Sequence, residues 1–409
     1  MKLNINTLRN KGWFQGDMTI WMVLILLCSI SIIEVYSASS SMSYKNGVFW
    51  GPVMEHTMYV LLGIGTAYVI HLTNCKLFKP MSFLFILISI VLLFYAMFFG
   101  QTINGGSRWI SIAGRTIQPS EIAKLSTIVF IALLMTIRNK ETGEAARGGV
   151  KLSLIVIFGM CLLIATENFS TAAMLFMVCM AMLWIGKTPN KVLFWVVGPL
   201  VGLGMVLFLT AKSMSPETAK NIGENVSALH RLPTWVSRVQ KDHSLPEDPN
   251  DYDVSNNQQV AHAQIAIATC GVIGKGPGKS VERDYLPQAF SDFIFAIIIE
   301  EGGIESAVFV LFLYLFLFYR SLRIASTCAT RFPAYLVMGL SLMLVVQALI
   351  NMAVAVGLAP VTGQPLPLIS RGGTSTIISC IYIGMILSVS RTASKIKEEE
   401  RMATVEVAE

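Results

Sequence analysis

Apolar runs of about 18–22 residues recur along the whole chain, each long enough to cross a hydrocarbon core as a helix. In lipid every backbone amide must be satisfied within the protein, which leaves helices and closed barrels as spanning structures. Runs of this length select helices. Ten spans are predicted near residues 18–38, 57–72, 80–99, 120–137, 152–166, 170–186, 191–211, 291–319, 333–357 and 374–390. The chain has 409 residues, of which 54% are hydrophobic and 14% charged. Soluble domains carry about 25% charged residues, so a soluble enzyme, a nucleic-acid binder and a disordered protein are all excluded. The expectation is an all-α polytopic membrane protein, a single integral-membrane domain over residues 1–409.

Basic residues set the orientation. With the N-terminus inside, eighteen Lys and Arg fall on cytoplasmic segments, from Lys2, Arg9 and Lys11 to Arg391, Lys395, Lys397 and Arg401. The short external loops hold only Lys45, Arg108, Arg115 and Arg371. The positive-inside rule then places both termini in the cytoplasm. Residues 1–17 form a cytoplasmic N-terminus, 18–211 carry spans one to seven, 212–290 an external segment, 291–390 spans eight to ten, and 391–409 a cytoplasmic tail. The net charge of +6 is thereby a topology signal. The run Tyr36-Ser37-Ala38-Ser39 mimics a signal-peptidase site, but about 20 apolar residues is long for a signal core, so the first span is read as retained. Seven cysteines are scattered without a CxxC pair or metal-ligand spacing, and they read as small core residues.

Long irregular loops are usually functional. One external segment runs from Gly100 to Pro119, and the other joins spans seven and eight. The middle of the latter, Asp242 to Asp253, is polar and proline-containing, and Asn256 to Ile273 has helical spacing of small apolar residues. The second stretch is expected to be an interfacial or re-entrant helix. No transporter-type internal repeat is evident.

Four stretches carry chemistry. Gly274-Lys275-Gly276-Pro277-Gly278-Lys279-Ser280 suggests a phosphate loop, but the register fails, because Ile273 stands where a P-loop needs glycine. A tight turn with close backbone approach is expected, whose amides and Lys279 could still hold an anion. Around Arg108-Trp109-Ile110 and Gln118-Pro119-Ser120-Glu121, Ser120 reads as a helix cap. Lys124 sits a turn inside a span, where a charge needs a partner. Glu121 or a ligand phosphate could supply it, and the sequence leaves both open. Residues 351–375, with Pro360, Pro365, Pro367, Gly363, Gly372 and Gly373, cannot form a regular helix, and their apolar character favours a re-entrant element over a plain loop. Asp292 stands at the mouth of the eighth span, with Glu300 and Glu301 about 12–14 Å further down the helix. Capping explains Asp292 as well as catalysis does, and pairing explains the glutamates at least as well.

Together these stretches resemble the SEDS family of shape, elongation, division and sporulation proteins, which includes FtsW and RodA. The likeness extends from Tyr36 to Gly384. It rests on Arg108, Trp109, Ile110, Gln118 to Glu121 and Lys124; on Gly274, Gly276 and Gly278; on Asp292 to Ala296 with Glu300 and Glu301; and on Pro360 to Gly363, Pro365 to Pro367, Ser370, Gly372, Gly373 and Ser375. The sequence departs from the family where Gln288 and Phe290 replace a Glu and a His of PEAHTDF. It departs again where Arg371 replaces an aromatic residue, and where Thr166 to Thr171 stands for PDLGT.

The resemblance implies a peptidoglycan glycosyltransferase that polymerises lipid II on the outer face of the bacterial cytoplasmic membrane, in division at the septum more than in elongation. Its implied partners are a class B penicillin-binding transpeptidase and other divisome proteins, with no nucleic acid. Asp292 becomes the candidate base. Arg108, Lys124, Glu121, Arg371, Ser370 and Lys279 become candidate substrate-binding residues, and Glu300, Glu301, the three turn glycines, Pro365 and Pro367 become supports. No metal-ligand cluster is legible and no cofactor is implied, so a divalent cation would be held through the substrate diphosphate. A polyprenyl tail wants apolar helix faces, a diphosphate wants cations and a sugar hydroxyl wants a base, which this residue set supplies. The alternatives are a lipid II flippase and a structural divisome scaffold.

Overall fold

The computed structural model describes residues 14–38, 51–103, 106–112, 115–138, 144–166, 168–215, 218, 220–221, 236, 258–286 and 290–406. It is a helical bundle: α1 (Met18–Ala38), α2 (Gly51–Leu72), α3 (Phe78–Phe99), α4 (Pro119–Arg138), α5 (Glu144–Ala165), α6 (Phe169–Ile185), α7 (Asn190–Ser213), α8 (Gln258–Thr269), α9 (Ile294–Ser326), α10 (Arg331–Ala355) and α11 (Thr374–Glu406). Among the described residues nine helices are long and apolar enough to cross a membrane. The 17-residue α6 is apolar and at the short end of what spans a bilayer. All ten predicted spans are present as helices, and the chain is a multi-pass membrane protein.

Burial grades the helices by position. In α4, 89% of the apolar window is buried, against 7% in α7. A helix apolar on every side belongs in the centre, and α4 packs there between α3, α5 and α10. By contrast α7 leans on α6, carries Pro199 and turns Phe194, Trp195 and Met205 outward. The α2 and α11 pair and the α9 and α10 pair complete the bundle, with α1 wedged against α9.

Two differences from expectation bear on function. The segment between α3 and α4 is not irregular. It forms a three-stranded antiparallel sheet of β1 (Gln101–Ile103), β2 (Gly106–Ile112) and β3 (Arg115–Ile117), in the order β1-β2-β3, with Ile110 opposite Ile117. Asn104-Gly105 between β1 and β2 is a strong short-range hairpin signal in the sequence. The predicted interfacial helix is α8, whose Ala261, Ala263 and Ala266 are fully buried and which packs on α9. Most of residues 212–257, including Asp242 to Asp253, lie outside the described residues.

The second difference is a break in α9. Gly303 has φ +72° and ψ −173°, so Ile294 to Glu301 is a short buried helix and the rod restarts at Ile304. From Ile304 to Ser326 the rod is about 35 Å long at 1.5 Å per residue, enough by itself for a hydrocarbon core of about 30 Å. Glu300 and Glu301 therefore stand at the end of the spanning rod and not 12–14 Å inside it. The break is enforced by close backbone approach: a Cβ on Gly303 would lie 2.0 Å from Val272 O, and one on Gly274 would lie 2.3 Å from Glu301 O. Replacing Gly303 by Ala should lower the thermal midpoint of the purified protein. Gly159→Ala, where a Cβ meets nothing within 4 Å, should leave it unchanged. Equal midpoints would show that the contact yields freely.

Candidate active site

The helix ends divide between two faces. At the Met18 face Asp17 pairs with Arg320. At the Ala38 face Ser37 donates to Glu301, so α9 runs from the Ala38 face to the Met18 face. The chemistry-bearing stretches collect at the Ala38 face.

Residues 356–373 fold back there without regular structure, and their backbone carbonyls need donors. Three helices supply them. Asn351 Nδ2 of α10 donates to Gln364 O at 2.8 Å, and Gln347 Nε2 donates to Pro365 O at 3.0 Å. Tyr314 of α9 donates to Pro367 O, and Ser31 of α1 to Ile369 O at 2.6 Å. The Gln364 side chain donates to Thr171 Oγ1 of α6 at 2.8 Å. Lys124 of α4 donates to Gln347 Oε1 at 2.8 Å and so anchors the arrangement indirectly. Between these clamps Leu368 is buried at φ +67°, a left-handed conformation that persists only where surroundings over-determine it.

Asp292 is fixed to this element. Asn351 Nδ2 also donates to Asp292 O at 2.9 Å, and Ser370 Oγ donates to Ser291 O at 2.6 Å while accepting the Leu366 amide at 2.8 Å. Ser291 Oγ donates to Asp292 Oδ1 at 3.0 Å. The other carboxylate oxygen faces Gly363, where an added Cβ would lie 3.7 Å away. Phe293 next to it is buried while Asp292 itself is half-buried, so the carboxylate sits on a polar–apolar boundary. Asn351 Oδ1, Thr362 Oγ1 and Gln364 Oε1 are also buried here, without a partner among the described residues.

Lys124 is 1% exposed and bridges Glu121 Oε1 at 2.7 Å. Of the two partners the sequence left open, Glu121 is the one in place. Arg371 donates its backbone amide to Phe290 O at 2.9 Å, lays its guanidinium 5.3 Å from the Phe290 ring centre and bridges Glu55 of α2 at 2.9 Å. Arg108 has its backbone in β2, and its side chain, like that of Arg115, lies outside the described residues, as does Gln288. Pro365 and Pro367 present carbonyls, not rings, to the clamps.

Glu300 and Glu301 belong to a second unit. Glu300 takes Lys275 Nζ at 2.6 Å, the Val281 amide at 3.0 Å and the Ser280 hydroxyl. Glu301 takes the Gly278 amide at 2.9 Å and the Ser280 amide at 3.3 Å, with Arg283 at 4.0 Å. The backbone closes the same unit, since the Lys275 and Gly276 amides donate to Glu300 O and Glu301 O. Gly274, Gly276 and Gly278 all have positive φ in this turn, and Lys279 is exposed on it. Both carboxylates are saturated by the turn they hold.

A family model described as cell cycle protein, spanning FtsW, RodA and SpoVE, matches residues 17–395. The chain belongs to the FtsW/RodA/SpoVE family. A probable peptidoglycan glycosyltransferase FtsW of Geobacter sp. (strain M18) is 30% identical over 380 residues, 91% of this chain and 96% of that protein. Its counterpart in Bacillus subtilis (strain 168) is 29% identical over 380 residues, 91% and 90% of the two chains. Among solved structures, a chain from a peptidoglycan synthase complex that coordinates polymerization and crosslinking superposes with a TM-score of 0.69 at 20% identity, covering 92% of this chain and 98% of that one. Thermus thermophilus RodA, the rod shape determining protein, gives 0.64 at 20% identity, covering 93% and 98%. These two carry the fold of the family over nearly the whole chain.

Two departures from the family pattern touch each other, because Phe290 and Arg371 form the stacked pair described above. Sequence reading missed Gln347 and Asn351. They lie four residues apart on α10, one face of an otherwise apolar span, and polar residues at that spacing inside a membrane helix are a usable signal. Removing one member of a buried ion pair costs roughly 3–5 kcal/mol, whereas replacing both with neutral groups costs far less. Lys124→Met should therefore melt well below wild type, and Glu121→Gln/Lys124→Met should recover most of the loss. A double variant no more stable than the single one would remove Glu121 as the partner.

Proposed function

We propose that this chain is a peptidoglycan glycosyltransferase that polymerises lipid II on the outer face of the bacterial cytoplasmic membrane, during division at the septum, beside a class B penicillin-binding transpeptidase and other divisome proteins. In this reading the Ala38 face is outside and both termini are cytoplasmic, as the distribution of basic residues supports. The observation that carries it is the fixed Asp292, a half-buried carboxylate on the Ala38 face, held by its own backbone to an irregular element rich in buried polar atoms. The family of the chain and the names of its relatives point to the same chemistry.

Asp292 takes the proton of the acceptor sugar hydroxyl as that oxygen attacks the donor's anomeric carbon. The bond from that carbon to the diphosphate breaks with inversion, and the diphosphate leaves with the electron pair. Positive charge near the leaving group stabilises it. Arg371 stands beside Phe290 for that task, and Arg108 of β2 is its second candidate, with Lys279 on the neighbouring turn. Ser370 fixes the position of Ser291 and hence of the base. Lys124, saturated by Glu121 and Gln347, acts by holding the Pro365 carbonyl in place. A divalent cation would be held through the substrate diphosphate, since no group of three or more His, Cys, Asp or Glu is placed to ligate one among the described residues.

The N-cap of α9 is Phe293, without a side-chain bond to the helix, so Asp292→Asn removes the carboxylate without removing a cap. The variant should purify and melt like wild type while glycan polymerisation from lipid II, with the transpeptidase present, falls roughly 10²–10⁴-fold. Near-wild-type product would overturn the base assignment. Lipid scrambling without polymer from the wild-type protein would favour a flippase instead.

A further inference from the structure

The Met18 face carries a pocket that the proposed reaction does not use. It measures about 420 Å³ and lies between the turn before α1, the end of α9 and the middle of α11. Arg320 and Arg323 of α9 and Lys397 of α11 line it, with the Ser390 and Ser394 hydroxyls. Asp17 is the one acid in the lining, and it is occupied: it pairs with Arg320, and its Oδ1 accepts the Thr19 amide at 2.9 Å. Arg320 Nε is buried without a hydrogen-bond partner among the described residues. Three cations against one spent carboxylate leave the pocket net positive.

The pocket is built, not incidental. Gly16, at φ +90°, packs where a Cβ would lie 2.9 Å from Leu387 O, which seats the turn on α11. Phe14 stacks edge-on against Trp21 at 5.1 Å and against Tyr68 of α2 at 6.2 Å, and Trp21 Nε1 donates to Gln15 O. Alongside the cations the helices turn apolar side chains outward: Met18 and Met22 on α1, Phe312 and Tyr319 on α9, with the Arg323 guanidinium 5.9 Å from the Tyr319 ring centre. Cations over an exposed apolar shelf at the end of a spanning helix match one ligand chemistry, a phosphate anion joined to acyl chains. Basic pockets between helices on the cytoplasmic side are a recognised way to hold such headgroups.

We propose that this pocket binds the phosphate of an anionic phospholipid of the leaflet at the Met18 face, with Arg323 and Lys397 as the main charge contacts and Arg320 fixed by Asp17 behind them. Lipid bound there ties the N-terminal turn, α9 and α11 together at the face opposite Asp292.

Native mass spectrometry of the full-length protein, exchanged into mixtures of phosphatidylglycerol and phosphatidylcholine, tests this. The wild type should retain one phosphatidylglycerol in preference to phosphatidylcholine. Arg323→Gln/Lys397→Gln changes only exposed side chains, and should weaken that retention roughly 30-fold with an unchanged thermal midpoint in phosphatidylcholine. Raising the salt from 0.1 to 0.5 M should weaken wild-type retention as well, which tests the charge dependence without any variant. Equal retention by variant and wild type, or equal retention of the two lipids, would overturn the site. Displacement of the lipid by glycerol phosphate at comparable affinity would overturn the lipid assignment and mark the ligand as a soluble phosphate.

Discussion

Unsatisfied backbone at membrane depth costs several kcal/mol per group, and the site of this protein depends on how that cost is met. Residues 356–373 have three prolines and no regular hydrogen bonding, so side chains of the surrounding helices do what a helix would otherwise do for itself. Asn351, Gln347, Tyr314 and Ser31 each give a donor to one carbonyl of the segment. Because these donors come from separate helices, the position of the segment is set by the packing of the bundle and not by its own sequence. Asn351 then uses the same amide group for Asp292 O, which passes that precision on to the Asp292 carboxylate.

The three carboxylates at the top of α9 divide by how deeply they are buried. Glu300 and Glu301 each accept several donors from the turn at residues 275–283. Carboxylates engaged in this way hold the turn in place. Asp292 stands on the other side of the buried Ile294–Ile299 turns, half-buried at the edge of the irregular element. Only that carboxylate combines a fixed backbone with a face toward solvent. The break at Gly303 makes the division spatial, since it lifts the saturated pair out of the spanning rod and lets the turn reach it.

Much of this was legible in the sequence, for physical reasons that also explain the rest. Long apolar runs report helices directly, so all ten spans could be placed, and prolines clustered in an apolar stretch revealed the irregular element. The hairpin at Asn104-Gly105 was legible through its turn chemistry but was outweighed by loop length. Gln347 and Asn351 carry a weaker signal, two polar residues at one-turn spacing in a span, and their partners lie in another segment. What the sequence could not give was any pairing across it: that Lys124 meets Gln347, or that Glu301 reaches Ser37 of α1. Such contacts depend on packing between helices more than two hundred residues apart.

The Phe290 and Arg371 departures show why single positions mislead. Taken one at a time, loss of a histidine and gain of a charge near Asp292 both look damaging. In the structure they are one interaction, with the Arg371 guanidinium 5.3 Å from the centre of the Phe290 ring. A guanidinium over an aromatic face contributes about 0.5–2 kcal/mol depending on exposure. Arg371 is held from the other side by Glu55. Position 290 supplies the ring and position 371 the cation, so neither departure can be judged without the other.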